Sequence, residues 1–187
     1  MQTKAEVAAY VLSVARAYPA LGISGPRRYD PNDKHEAVIR WLIENCLEQI
    51  IVTGCAKGAD AIARESRNGA TVHDVADYKQ PDIPYVAALA KRSIGCINDV
   101  KANAGIWCAF PNTPCPPKVR PKPSWCSGGG SGTWASLAYA VGHGLPCLVW
   151  AGNTEMPEWL HEVGWGWHLA INPKDGATKR EEQLALI

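Results

Sequence analysis

Apolar residues recur at the spacing of amphipathic helices in five stretches of the chain. In the first stretch, Val7, Val11 and Val14 fall on one helical face before Pro19 ends the pattern. The predicted helices cover residues 4–18, 33–48, 58–67, 84–97 and 131–141. The second of them is expected to begin with a capping box, because Glu36 follows Asp33 at the required spacing.

Short apolar or β-branched runs lie between these helices and predict strands. The runs cover residues 20–24, 49–53, 70–75, 104–110, 146–150 and 165–171. Because strands and helices alternate, the pattern predicts an α/β fold of Rossmann-like type. We therefore expect a three-layer α/β/α arrangement around a mostly parallel sheet of five to six strands.

Length and composition favour one domain. A chain of 187 residues with 47% hydrophobic residues is long enough to bury one sizeable core, and nothing divides it. We expect a single domain over residues 1–187, with its core at 20–172 and a proline-rich insert at 111–126. An insert of this kind cannot be a helix or a central strand, and it is either a lid or a surface loop without function.

The charge balance argues against nucleic-acid and membrane binding, and the cysteines favour a cytoplasmic location. With 19 basic and 18 acidic residues the net charge is +1, so no overall field attracts nucleic acid or an anionic membrane. The first residues contain no basic region followed by an apolar run, and no stretch approaches the roughly 18 apolar residues that cross a bilayer, so we expect neither export nor membrane insertion. Seven scattered cysteines without a C-x-x-C pair suggest thiols in a reducing cytosol, so we expect a cytoplasmic protein.

Several common chemistries find no support in the sequence. No G-x-S-x-G, H-E-x-x-H or Walker A string occurs, which argues against ordinary hydrolases and P-loop proteins. The spacing of Cys108, Cys115 and Cys126 is not typical of a zinc site. We therefore expect neither a metal nor a resident cofactor.

Three turns of unusual composition follow predicted strands. We name them turn 1 (residues 24–28, SGPRR), turn 2 (residues 54–60, GCAKGAD) and turn 3 (residues 127–134, SGGGSGTW). The carboxyl ends of parallel strands share one edge of a sheet, which is where ligands bind in such folds. Glycines let backbone N–H groups approach a phosphate, and a following helix N-terminus adds positive charge. One such turn is weak evidence, since glycine also serves turn geometry, but three together predict an anion site.

The predicted ligand-binding residues come from these turns and from the helix that precedes the fourth strand. Two of them, Arg92 and Asn98, lie on or just after that helix, where a solvated charged face is the alternative interpretation. The full set is Gly25, Pro26, Arg27, Gly54, Cys55, Ala56, Gly58, Asp60, Arg92, Asn98, Gly128, Gly129, Gly130, Ser131, Gly132, Thr133 and Trp134.

Some of these side chains have a specific expected role. Arg27 can give a phosphate a bidentate, permanently charged contact, and hydroxyl groups of turn 3 can donate hydrogen bonds. Asp60 either orders turn 2 or bonds a ribose hydroxyl; the other interpretation is a helix-start acid that forms a local ion pair with Arg64. Trp125 and Trp134 either stack on a base or belong to the core.

The order and spacing of the three turns resemble the SLOG superfamily. Gly25-Pro26-Arg27 is similar to its G-S-R element, with proline where serine is usual, and turn 2 is similar to its G-x-A-x-G-A-D element. Turn 3 resembles its S-x-G-T or G-G-x-G-T element. The resemblance covers about residues 20–150. This superfamily joins the YspA and YpsA-like proteins, the DNA-processing protein DprA and the LONELY GUY phosphoribohydrolases.

The resemblance implies a Rossmann-like protein that binds nucleotides or related signalling molecules, often as a homodimer or higher homo-oligomer. A sensor, carrier or sequestering protein is the first interpretation. The alternatives are a phosphoribohydrolase, which cleaves an N-glycosidic bond, and a protein that binds single-stranded DNA as DprA does. The phosphoribohydrolases have a catalytic Glu three residues after the G-G-x-G-T element, where this chain has Ser136. The near-neutral charge argues against nucleic acid as a partner.

Overall fold

Helices and strands alternate through residues 2–30, 33–126 and 128–170, which are the residues that the computed structural model describes. The α-helices in these ranges are Lys4–Arg16 (α1), His35–Glu44 (α2), Ala59–Ser66 (α3), Tyr85–Ala102 (α4) and Gly132–Gly142 (α5). The strands are Ala20–Ser24 (β1), Ile50–Gly54 (β2), Thr71–His73 (β3), Ile106–Ala109 (β4), Cys147–Trp150 (β5), His161–Gly164 (β6) and Trp167–Ala170 (β7).

The strands form one mixed sheet in the order β3-β2-β1-β4-β5-β7-β6. The first five are parallel to their neighbours, whereas β7 runs antiparallel to β5 and β6 antiparallel to β7. The predicted α/β class and mostly parallel sheet are therefore confirmed. The strand order turns back at β1, with β2 and β3 on one side of it and β4 and β5 on the other.

The expected number of five to six strands is wrong, because the described part of the chain contains seven. A single strand was expected at residues 165–171, where a hairpin of β6 and β7 is found; Ile171 itself lies outside the described residues. The turn of this hairpin is Trp165-Gly166, and both residues have positive φ (52° and 80°), as a type I′ turn requires. Trp-Gly is not a usual signature of that turn, and β6 is too polar and exposed to give an apolar run.

The predicted capping box at α2 is also wrong. Lys34 occupies the N-cap position without a side-chain cap, and Asp33 instead accepts a hydrogen bond from the backbone N–H of His35 at 3.2 Å and contacts its ring. Glu36 pairs with Arg40 one turn further along the helix. A complete capping box does occur at α1, between Thr3 and Glu6.

Strand residues alternate between two hydrophobic clusters because successive side chains point to opposite faces of a sheet. Ile23 and Cys108 belong to the cluster that contains residues of α1, α2 and α3. Trp107 and Val149 belong to the cluster that contains residues of α4 and α5, and we call this side of the sheet the α4/α5 face. Burial on both faces explains why the central strands read as continuous apolar runs. No helix in the described ranges has the length and apolar character needed to span a membrane.

Candidate functional site

The three turns line one cavity of about 940 Å³ at the carboxyl ends of β1, β2 and β4. Turn 1 contributes residues 24–27, turn 2 contributes Gly54, Ala56 and Asp60, and turn 3 contributes residues 130–133. The cavity lies where the strand order turns back, between β1 and β4, which is the position of the ligand crevice in open α/β sheets. The structure thus brings together the turns that the sequence singled out.

Turns 1 and 2 are packed directly on each other. The backbone N–H of Ala59 donates to the carbonyl oxygen of Pro26 at 3.2 Å. Gly58 has a φ of +69°, and a Cβ at this position would lie 2.1 Å from that same oxygen. Gly58 therefore does not line the cavity; it permits the contact that sets the distance between the two turns.

The buried side chain of Asp60 stabilises the conformation of turn 2. Its side chain is 7% exposed, and Oδ2 accepts a hydrogen bond from the N–H of Ala56 at 3.2 Å and lies 3.3 Å from Nη1 of Arg92. Burial raises the pKa of Asp60, and the positive charge of Arg92 opposes that rise. Arg64 does not form the local ion pair that was the alternative for Asp60; it donates to the carbonyl oxygens of Gly54 and Ala56 at 2.6 and 3.0 Å.

Turn 3 is a 3-10 turn at Gly128–Gly130 that leads into the N-terminus of α5. Gly129 and Gly130 have positive φ values of 55° and 94°, which favour glycine. Ser131 caps the helix by accepting from the N–H of Trp134 at 3.4 Å. Helix geometry leaves the N–H groups of Gly132 and Thr133 without an intrahelical acceptor, so they are available to an anion. A Cβ added at Gly132 would meet nothing within 4 Å.

Trp134, one of the predicted ligand-binding residues, does not line the cavity. The side chain is fully buried, its Nε1 donates to the carbonyl oxygen of Thr113 at 2.9 Å, and its ring packs edge-on against Trp159 at 6.1 Å. The core interpretation therefore holds for Trp134. Trp125, the other tryptophan near turn 3, does line the cavity.

Some further predicted residues do not line the cavity in the described structure. Asn98 is exposed on α4, so it belongs with the solvated residues of that helix. The thiol of Cys55 accepts a hydrogen bond from the N–H of Val75 at 3.2 Å and so fastens turn 2 to the segment after β3. Gly128 and Gly129 shape turn 3, and Gly129 packs against Pro116.

The inner face of α4 forms a wall of the cavity that the sequence did not identify as part of the site. Residues on that wall recur every three to four positions: Val86, Ala87, Leu89, Ala90, Ser93 and Cys96. The spacing was visible as helical periodicity. It gave no functional signal, because an apolar helical face reads the same whether it packs on core or lines a cavity.

The proline-rich insert forms another part of the wall. Pro111, Asn112 and Thr113 line the cavity at its start, and Val119 in its middle is 2% exposed. The carbonyl oxygen of Pro111 lies 3.0 Å from Nε2 of His35. These contacts attach the insert to the domain, and its first three residues form part of the cavity wall.

The chain matches no protein-family model, no curated protein and no solved structure in the comparisons made.

The seven cysteines are free thiols, and no group of three or more metal-ligating side chains occurs within the described ranges. The cavity therefore offers backbone donors, arginine charge and one buried carboxylate beside an apolar wall. That combination suits a ligand with an anionic end and a flatter, less polar end.

Proposed function

We propose that this protein binds a nucleotide or a nucleotide-derived signalling ligand, whose phosphate is held between turn 1 and turn 3. The observation that carries the proposal is the shared cavity of the three turns, which is lined both by the N-terminus of α5 and by Arg27. Arg27 is exposed and supplies a fixed positive charge with paired donors. A volume of about 940 Å³ falls within the range of small-molecule sites.

The less polar part of the ligand fits the remaining walls. Val86 and Leu89 of α4 offer an apolar surface, and Trp125 offers an aromatic ring. A base and sugar placed there leave the phosphate at the turns. This arrangement suits a sensor, carrier or sequestering protein, because the contacts proposed here for turns 1 and 3, α4 and Trp125 all serve to bind the ligand. None of them has a role in breaking a bond.

Membership of the SLOG superfamily is part of the proposal. The order of the turns, their spacing and their common cavity support it, and the two hydrophobic clusters support the three-layer Rossmann-like arrangement. A homo-oligomeric state follows from the resemblance alone. The free thiols support a cytoplasmic location.

Hydrolysis of an N-glycosidic bond is the second candidate, and Asp60 is the observation that favours it. Asp60 is the carboxyl group among the described cavity residues, and its raised pKa is a property of general acids. Its hydrogen bond from Ala56 and its pairing with Arg92 support instead a role in holding the turn.

Mass spectrometry of the small molecule that remains with the purified protein tests the proposal. We expect a phosphorylated nucleoside derivative, and calorimetry with nucleoside monophosphates, NAD and ADP-ribose should then yield a saturable affinity. A protein that binds none of them would refute the proposal. Chromatography of the same mixtures separates the two candidates, because release of free base would establish hydrolysis.

A further inference from the structure

Three buried hydrogen-bonding groups in the cavity wall have no partner in the described part of the chain. They are Oγ of Ser24, Nε1 of Trp107 and Nε of Arg92. Ser24 is 9% exposed, Trp107 is 1% exposed and the side chain of Arg92 is 12% exposed. A buried polar group without a partner costs free energy, so three that line the same cavity need an explanation.

The strand register places two of these residues, Ser24 and Trp107, close together. Ser24 pairs with Ala109 and Gly22 pairs with Trp107, so Ser24 and Trp107 are diagonal neighbours on β1 and β4. Both lie on the α4/α5 face, since Ile23 between Gly22 and Ser24 belongs to the opposite cluster. The ring of Trp107 lies over Gly22, where an added Cβ would be 2.2 Å from a ring carbon.

Arg92 reaches the same region from α4. Its guanidinium carbon would lie 2.6 Å from a Cβ added at Gly54, the last residue of β2. Nη1 is paired with Asp60, which balances the charge of Arg92, whereas Nε is buried and has no partner in the described part of the chain. We call Ser24, Arg92 and Trp107 the donor cluster. It lies on the sheet side of the cavity, next to the turns.

The chemistry of the donor cluster selects its partner. An indole N–H and a guanidinium N–H can only donate, so the ligand must bring acceptor atoms to them. Because Asp60 already balances the charge of Arg92, a neutral acceptor is better suited than a second anion.

Building on the proposed function, we propose that the donor cluster recognises a keto nucleobase and discriminates against an amino nucleobase. A 6-keto purine presents acceptors at O6 and N7, whereas adenine replaces the O6 acceptor by the N6 amino donor. An amino group in this position would face Trp107 and Arg92 donor to donor. The preference for a keto nucleobase would therefore come from the donor cluster in the cavity wall.

Calorimetry with inosine 5′-monophosphate and adenosine 5′-monophosphate tests this, since the two differ in the keto or amino group at position 6 and in the proton that the keto form carries on N1. We expect the wild-type protein to bind the inosine nucleotide about fivefold or more tightly than the adenosine nucleotide. In Trp107→Phe, and in the smaller change Ser24→Ala, the preference should fall to about twofold or less.

The chain supplies a matched control for each variant. Nε1 of Trp159 and Oγ1 of Thr53 are also buried without a partner, but neither residue lines the cavity. Trp159→Phe and Thr53→Val should therefore keep the wild-type preference, which separates recognition from packing. If Trp107→Phe fails to fold, Ser24→Ala against Thr53→Val decides the question.

The outcomes distinguish this inference from the proposed function. Equal affinity of the wild-type protein for both nucleotides, or an unchanged preference in the donor-cluster variants, overturns the keto selectivity and leaves nucleotide binding intact. Failure of the wild-type protein to bind either nucleotide, or any other phosphorylated nucleoside, overturns the proposed function and the selectivity with it.

Discussion

Nη1 of Arg92 lies 3.3 Å from Oδ2 of Asp60, and the two side chains are 12% and 7% exposed. This pair joins α4 to turn 2, because Asp60 also holds the N–H of Ala56. Removing one member of a buried ion pair leaves the other charge uncompensated, which costs about 3–5 kcal/mol in proteins. We therefore expect Arg92→Met to lower the free energy of unfolding by about 3 kcal/mol in urea titrations.

A second change and a control complete this test. Asp60→Asn added to Arg92→Met should recover part of the lost stability, since no unpaired charge then remains. Arg40 pairs with Glu36 and Glu65 at the surface, so Arg40→Met should cost about 1 kcal/mol or less. Equal losses for Arg92→Met and Arg40→Met would show that the buried pair does not stabilise turn 2.

Much of the fold could be predicted because the sequence carries it locally. The alternation of apolar helical faces and short strands predicted the parallel part of the sheet. The glycine-rich segments between them predicted the turns that share a cavity. The edge hairpin could not be predicted in the same way. Its strand β6 is exposed and its Trp-Gly turn depends on two positive φ values that no local pattern indicated.

The site could be predicted only where backbone geometry demands particular residues. Glycines at turns are visible in the sequence. Whether a tryptophan side chain is buried in the core or lines the cavity is not. Trp134 is the last residue of turn 3 but is buried in the core, and Trp107 lies within an ordinary apolar strand but lines the cavity. Both outcomes depend on long-range packing, which periodicity does not encode.

Gly58 and Gly69 provide a matched test of the contact between turns 1 and 2. Both have positive φ, at 69° and 81°, but a Cβ at Gly69 would meet nothing within 4 Å. Gly69→Ala should cost about 1–2 kcal/mol, which is the backbone penalty alone. Gly58→Ala should cost clearly more, because its Cβ collides with the carbonyl oxygen of Pro26 and because a ψ of −127° takes its backbone outside the left-handed helical region.

Thermal and urea unfolding of the two glycine variants measure this difference. Ligand affinity should also fall in Gly58→Ala, since turn 1 must move away from turn 2, and should be unchanged in Gly69→Ala. Similar unfolding free energies for the two variants would mean that turns 1 and 2 do not pack as described.

His168 on β7 should make the stability of the domain decrease as the pH falls. Burial lowers the pKa of His168 below its ordinary value of 6.5. The unfolded chain therefore takes up a proton before the folded one as the pH falls through that value. The contribution of His168 to stability is complete above the unfolded pKa and declines as the pH falls toward the folded pKa.

Urea titrations at a series of pH values between 7.5 and 5.5 check this prediction. His168→Gln should lose less stability on acidification than the wild-type protein. His161→Gln, at an exposed position of β6, should follow the wild-type curve. A wild-type slope in His168→Gln would show that this histidine is not the source of the pH dependence.

The affinity of Gly132→Asp for a nucleoside monophosphate tests the central claim most directly. Gly132 begins α5 next to open space, and a carboxylate there favours the helix, so the fold should stay intact while negative charge occupies the phosphate position. By calorimetry we expect the affinity to fall roughly 100-fold or more, with Gly132→Asn, of the same size but neutral, far less affected. Wild-type affinity in Gly132→Asp would show that the anion does not bind at the N-terminus of α5.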